Sequence, residues 1–120
     1  MREVIKLNGN REWYDKFDRL HRDDDLPAVI YDNGDQHWYQ NGLRHRDGDL
    51  PAVVRTNGDQ FWFKNGVRHR NDDLPAVITE NGTEFWYKNG KLHRDNDLPA
   101  VILFDGTKEW YQNGIEYQPQ

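Results

Sequence analysis

Residues 33–56 read Asn33-Gly34-Asp35-Gln36-His37-Trp38-Tyr39-Gln40-Asn41-Gly42 and then LRHRDGDLPAVVRT, and at Asn57-Gly58 the same phrase begins again. Pro27, Pro51, Pro75 and Pro99 recur every 24 residues, as do His21, His45, His69 and His93, and Trp38, Trp62, Trp86 and Trp110. A fixed period of this length decides the architecture before any local reading does, because it marks an array of stacked supersecondary units. Trp13 lies 25 residues before Trp38, so the first unit carries one extra residue. There Tyr14-Asp15-Lys16-Phe17-Asp18 replaces Tyr39-Gln40-Asn41-Gly42, and one Asn-Gly turn is expected to be lost. The chain divides into a partial unit 1–7, units at about 8–32, 33–56, 57–80 and 81–104, and a partial unit 105–120. Atypical terminal units suit an array, since each has a neighbour on one side only.

Within a unit the secondary structure reads as β. Asn-Gly is a strong hairpin signal, because both central residues of a type I′ turn need positive φ. Ala28-Val29-Ile30-Tyr31 and His37-Trp38-Tyr39 flank such a turn with β-branched and aromatic residues. The segment Asp23-Asp24-Asp25-Leu26-Pro27 is no central strand, because proline lacks the N–H a ladder requires, so it connects back into the sheet. No window shows a capped helical stripe. The expectation is an all-β chain of tandem hairpins, two or three strands per unit, forming one elongated, twisted antiparallel sheet.

Composition agrees. The chain is 35% hydrophobic and 31% charged, a balance that approaches disorder, but 13% aromatic content with five Trp supplies large buried areas from few residues. A formal charge of −5 gives no basis for general nucleic-acid binding. Cysteine is absent, which excludes disulfides and thiolate metal sites. No run approaches the roughly 18 apolar residues of a membrane span. Met1 to Asn10 lack the apolar stretch of a secretory signal, so the cytoplasm is the expected location.

The string Trp-Tyr-Gln/Lys-Asn-Gly followed by a short basic strand, as in Trp38-Tyr39-Gln40-Asn41-Gly42 and Trp86-Tyr87-Lys88-Asn89-Gly90, resembles the MORN-repeat variants. Its second half, His-Arg-x-x-Asp-Leu-Pro-Ala-Val, departs from ordinary MORN units, which place small glycines there. That version is similar to repeats of giant-virus, phage and bacterial proteins. The resemblance implies hairpins laid side by side, and scaffolding and partner or lipid contact rather than catalysis.

Two rows of residues are candidates for function. Trp38, Trp62 and Trp86 stand among polar neighbours two residues away, such as Gln36 and Gln40, which puts each on a half-wet strand face. Either the indoles line a groove that anchors a partner or stacks a base, or each lies flat on the next hairpin as core; the second is the commoner fate of a residue present in every unit. The opposite face, with Tyr39, Phe61, Phe63, Phe85 and Tyr87, is expected to pack under Leu50, Leu74 and Leu98. The pairs His45-Arg46, His69-Arg70 and His93-Arg94 could hold a phosphate or carboxylate. The competing expectation pairs each Arg with the Asp that follows it (Asp49, Asp73 or Asp97) and each His with a loop carbonyl. Equal spacing sets the histidines in separate units, which disfavours a zinc site. With no Ser or Cys, and every acid or base copied in each unit, the chain reads as a non-enzyme with no cofactor.

The leading function is therefore a non-catalytic interaction module that presents its aromatic and His/Arg face to a protein partner or to a second copy. A second reading is a receptor or sponge for a small anionic aromatic ligand such as a nucleotide. A third, an antitoxin or immunity-type protein, rests on the resemblance alone.

Overall fold

The computed structural model describes all 120 residues. It is all-β and built from 17 antiparallel strands. The first hairpin joins β1 (Arg2–Ile5) to β2 (Arg11–Tyr14). Each later unit then contributes four two-residue strands rather than two or three. In the unit 33–56 these are β4 (Gln36–His37), β5 (Tyr39–Gln40), β6 (Leu43–Arg44) and β7 (Val53–Val54), which follow β3 (Val29–Ile30). The next unit repeats them as β8 (Gln60–Phe61), β9 (Phe63–Lys64), β10 (Val67–Arg68) and β11 (Val77–Ile78). The following one has β12 (Glu84–Phe85), β13 (Tyr87–Lys88), β14 (Lys91–Leu92) and β15 (Val101–Ile102). The last hairpin is β16 (Lys108–Gln112) with β17 (Ile115–Tyr117).

Eleven strands form one sheet in the order β1-β2-β3-β4-β7-β8-β11-β12-β15-β16-β17, while β5-β6, β9-β10 and β13-β14 stand apart as separate hairpins. The division falls at the tryptophan. The Trp38 N–H donates to the Ala52 carbonyl on the side of β7, and the Trp38 carbonyl accepts from the His45 N–H beyond β6 (2.7 and 3.1 Å). The chain thus changes partner at each Trp, which is why the alternation counted from Gln36 does not carry through to Gln40. Strands spaced about 4.8 Å apart give an eleven-stranded sheet a breadth of about 48 Å, close to the molecule's 53 Å long dimension.

The two kinds of Asn-Gly turn differ. Asn41-Gly42, Asn65-Gly66, Asn89-Gly90 and Asn113-Gly114 have positive φ at both residues, the type I′ pattern expected for two-residue hairpins. At Asn33-Gly34, Asn57-Gly58 and Asn81-Gly82 only the glycine does. There the loop has three residues: the Gly34 N–H donates to the Tyr31 carbonyl and the Tyr31 N–H to the Asp35 carbonyl, each at 2.9 Å. This is a type I turn closed by a glycine bulge, and Asn33 acts through its side chain, which accepts the Asp35 N–H. The first unit keeps its hairpin despite the lost Asn-Gly, since Tyr14 pairs with Leu20 and the Asp18 N–H reaches the Asp15 carbonyl.

The core is a repeated quartet: Trp38, Pro51, Ala52 and Val53 are buried, and so are their equivalents in the neighbouring units. The Val residues pair directly with the position before each Trp, Val53 lying between His37 and Phe61 in the ladder. Leu50, Leu74 and Leu98 do not cover the aromatic face: all three remain at least 36% exposed. Arginines cover it instead, with Arg44 over Tyr39 and Phe63 and Arg68 over Phe61 and Tyr87. A leucine one residue before a buried proline points out of the core, whereas the long guanidinium side chains reach across the rings.

Candidate functional site

Each unit junction is built around one aspartate. The loop Asp23-Asp24-Asp25-Leu26 places two successive residues at positive φ, Asp24 and Asp25 (65° and 56°), and its copies do the same at Gly48-Asp49, Asp72-Asp73 and Asn96-Asp97. This reversal directs Asp25 forward onto the next unit. Its carbonyl accepts the Trp38 Nε1–H at 3.0 Å, and its carboxylate accepts the Arg46 Nε–H and Nη2–H at 2.8 and 3.2 Å. Arg46 also donates to the Pro51 carbonyl at 3.1 Å, and its guanidinium lies 3.8 Å from the centre of the Trp38 ring. Asp49-Trp62-Arg70 and Asp73-Trp86-Arg94 repeat the clamp. The hydrogen bond from Arg46 holds the Asp25 carboxyl below its ordinary range.

Arg46, Arg70 and Arg94 thus pair with the aspartate of the preceding unit, not with the one that follows in sequence. At Trp110 the sequence has Gln118 where an Arg would stand, and the Tyr117 hydroxyl donates to Asp97 at 2.8 Å. His45, His69 and His93 bind no loop carbonyl. The Nδ1 of His45 accepts the N–H of Asn65 from the next unit at 3.1 Å, and its Nε2 meets the Asp47 carboxylate at 2.7 Å. Accepting at Nδ1 places the ring proton on Nε2, the tautomer that donates to the carboxylate. Asn71 replaces the carboxylate for His69, and Asp95 serves His93.

The row of indoles is therefore no open groove. Trp38, Trp62 and Trp86 are each 6% exposed, with one face under a guanidinium. What these residues do line is a row of three similar surface clefts between successive loops. One of about 230 Å³ has His69, Arg70, Trp86, Lys88, His93 and Arg94 on its walls. Its copy one unit back, about 240 Å³, has His45, Arg46, Trp62, Lys64, His69 and Arg70. A third, about 450 Å³, lies between Asp23-Asp24-Asp25 and Asp47-Gly48. The structure brings the nine candidate residues together along one face, with their polar atoms already engaged inside the protein.

A second grouping was not singled out from the sequence. His37, Arg44, Arg55 and Arg68 gather over Phe61 and Phe63. The signal that would have found it is a break in the repeat, for Arg44 and Arg68 stand where other units have Leu20, Leu92 and Glu116. His37 is half-buried there, and burial, with Arg44 and Arg55 adding repulsion against a smaller opposing pull from Asp35, lowers its pKa to about 4.

No group of side chains has metal-binding geometry, and no helix is long and apolar enough to cross a membrane. Comparison with family models, curated proteins and solved structures finds no match.

Proposed function

We propose that the chain is a non-catalytic binding module that meets a protein partner along the row of clefts between its Asp-rich loops. The observation that carries this reading is the recurrence of a cleft at successive unit junctions, each lined by a Trp, a His-Arg pair and the Asp-rich loops. A surface whose side chains are already fixed by internal hydrogen bonds loses little freedom on binding, which favours a rigid docking face. The cleft rims carry both signs: Asp47 and Asp95 project into solvent, and Lys64 and Lys88 stand beside them. Such a rim suits a partner of alternating charge.

The sponge reading has less support at these clefts. Arg46, Arg70 and Arg94 already satisfy a carboxylate, and the indole faces are covered, so neither a free guanidinium nor an open ring awaits an anionic aromatic ligand. Catalysis has less still, since the histidines and arginines on the cleft walls are copied from unit to unit and engaged within the fold.

The test is native mass spectrometry of the tagged chain recovered from the cell that makes it, followed by cross-link mapping. One protein partner per chain, cross-linked to the loops at 23–26, 47–50 and 71–74 and weakened by Lys64→Glu with Lys88→Glu, is the expected result. Several small molecules bound per chain with no protein would overturn it in favour of the sponge.

A further inference from the structure

The side chains that do most to join one unit to the next, the Trp indole, the His imidazole and the Asp-bound Arg, recur from unit to unit. A residue type confined to one place therefore answers to something other than the needs of the unit. Arg44 and Arg68 are such residues. So is Arg55, whose position holds Lys6, Tyr31, Thr79 and Leu103 elsewhere, and so is Phe63, the single phenylalanine in a column of tyrosines. These departures from the repeat meet in space. The three arginines frame a cleft of about 90 Å³ whose floor is Val53, Phe61 and Phe63.

The guanidiniums alternate with the rings. Arg55 lies 5.0 Å from the centre of Phe61, Arg68 lies 5.6 Å from Phe61 and 5.9 Å from Phe63, and Arg44 lies 5.6 Å from Phe63. Their charge is poorly answered from within. Arg55 has the Asp59 carboxylate at 3.7 Å. Arg44 and Arg68 form no ion pair, unlike Arg46, Arg70 and Arg94, and have only long hydrogen bonds to His37 Nδ1 (3.4 Å) and the Tyr87 hydroxyl (3.5 Å). The low pKa of His37 reflects its burial first and then repulsion from Arg44 and Arg55, partly offset by Asp35. In a chain of net charge −5, two unpaired guanidiniums and a third only loosely paired, over an apolar floor, leave most of their donors unfilled.

We propose that this cleft binds a phosphate group, either as the free ion or as the terminal group of a phosphate monoester. Arginine's planar fork matches two oxygens of such a group at once. The two guanidiniums without carboxylates balance a dianion. The cleft's volume is well below the roughly 300 Å³ at which sites for whole small-molecule ligands begin, so the phosphate enters and whatever carries it stays outside. The site shares only Phe63 with the clefts proposed to receive a protein partner, and does not rest on that reading.

The experiment follows the arginine Nε–H resonances by NMR while inorganic phosphate, and separately phenyl phosphate, is added, with sodium chloride of equal ionic strength as the control. Saturable shifts at Arg44 and Arg68 are expected, absent with chloride. Phenyl phosphate binding more tightly than the inorganic ion identifies a monoester; equal or weaker binding identifies the free ion. Replacing Arg44 and Arg68 together by Leu installs the residue that Leu20 and Leu92 supply at the same position, so folding is preserved, and binding should weaken at least about tenfold. Arg55→Thr, which copies Thr79, should weaken it several-fold as an independent check. Shifts that track chloride equally, or a folded double variant that binds phosphate as tightly as the parent, would overturn the assignment.

Discussion

Arg70 does three things with one side chain: it roofs the Trp62 indole, closes on the Asp49 carboxylate of the preceding unit, and donates to the Pro75 carbonyl. Its side chain is 13% exposed and that of Asp49 is 52% exposed, so removing one partner is not equivalent to removing the other. Arg70→Ala should lower unfolding free energy by about 2–3 kcal/mol, from lost charge-assisted bonds and ring stacking. Asp49→Asn should cost about 1–2 kcal/mol, since the amide oxygen still accepts one guanidinium N–H while the largely buried charge of Arg70 loses its counter-ion; urea titration compares the two. Arg70→Lys should recover little, because an ammonium cannot bond two oxygens and a carbonyl from one plane. His37 gives a pH dependence of definite sign. Its pKa falls from 6.5 to about 4 in the fold, so between those values the unfolded chain binds the proton and the folded chain does not. Stability from this group is full above pH 6.5 and declines as pH is lowered towards 4. In urea titrations across that range, His37→Phe, with the residue of Phe61, should flatten this part of the profile. The recurrence of Trp, His and Arg was legible in the sequence, and so was a structural task for them. Which aspartate each arginine takes was not, because proximity in sequence favours Asp49 for Arg46, whereas the fold uses Asp25 of the preceding unit. The choice is made by two left-handed residues in the loop, which aim Asp49 at the next unit.

A two-residue strand has almost no stability of its own, so the hairpins β5-β6, β9-β10 and β13-β14 depend on how their turns dock. Each turn glycine donates back to the unit before it: Gly42 to the Leu20 carbonyl, Gly66 to Arg44 and Gly90 to Arg68, at 2.8, 2.8 and 2.9 Å. Gly66 and Gly106 both need positive φ, at 88° and 91°, but only Gly66 sits against a neighbour. A methyl added at Gly66 would meet Leu43 at 3.2 Å, whereas one at Gly106 meets nothing within 4 Å. Gly106→Ala should therefore cost only the backbone strain, about 1–2 kcal/mol. Gly66→Ala should cost measurably more, and the gap between their urea midpoints reports the docking. The sequence shows Asn-Gly at both kinds of turn and cannot tell them apart by that pair alone. The difference lies in what the flanking residues pair with, a three-residue loop at Asn33 and a two-residue loop at Asn41. Positions that break the repeat, by contrast, were readable letter by letter; what they build required the ladder that sets His37, Val53 and Phe61 side by side.

Across the whole molecule the junctions share the same bonds: indole to carbonyl, amide to imidazole and glycine amide to carbonyl at each, and guanidinium to carboxylate at all but the last, where Tyr117 takes the place of the arginine. Excising residues 57–80 sets Trp86, Asn89 and Arg94 against Asp49 and His45, residues of the types they already bind. The shortened chain should keep a β-type circular dichroism spectrum and buried-tryptophan fluorescence, while losing the Arg68 and Phe63 cleft. Removing residues 1–56 leaves Trp62 without Asp49 and Asn65 without His45, and the fragment should unfold with visibly lower cooperativity. A whole unit is thus exchangeable in a way that a half unit is not, and the coding DNA inherits this property. A slip of the copying machinery by one coding period preserves the reading frame, and the joint it creates is one the protein already knows how to make. The gene can therefore lengthen or shorten its product in single steps, each yielding a folded chain, and selection can tune reach before it tunes any residue.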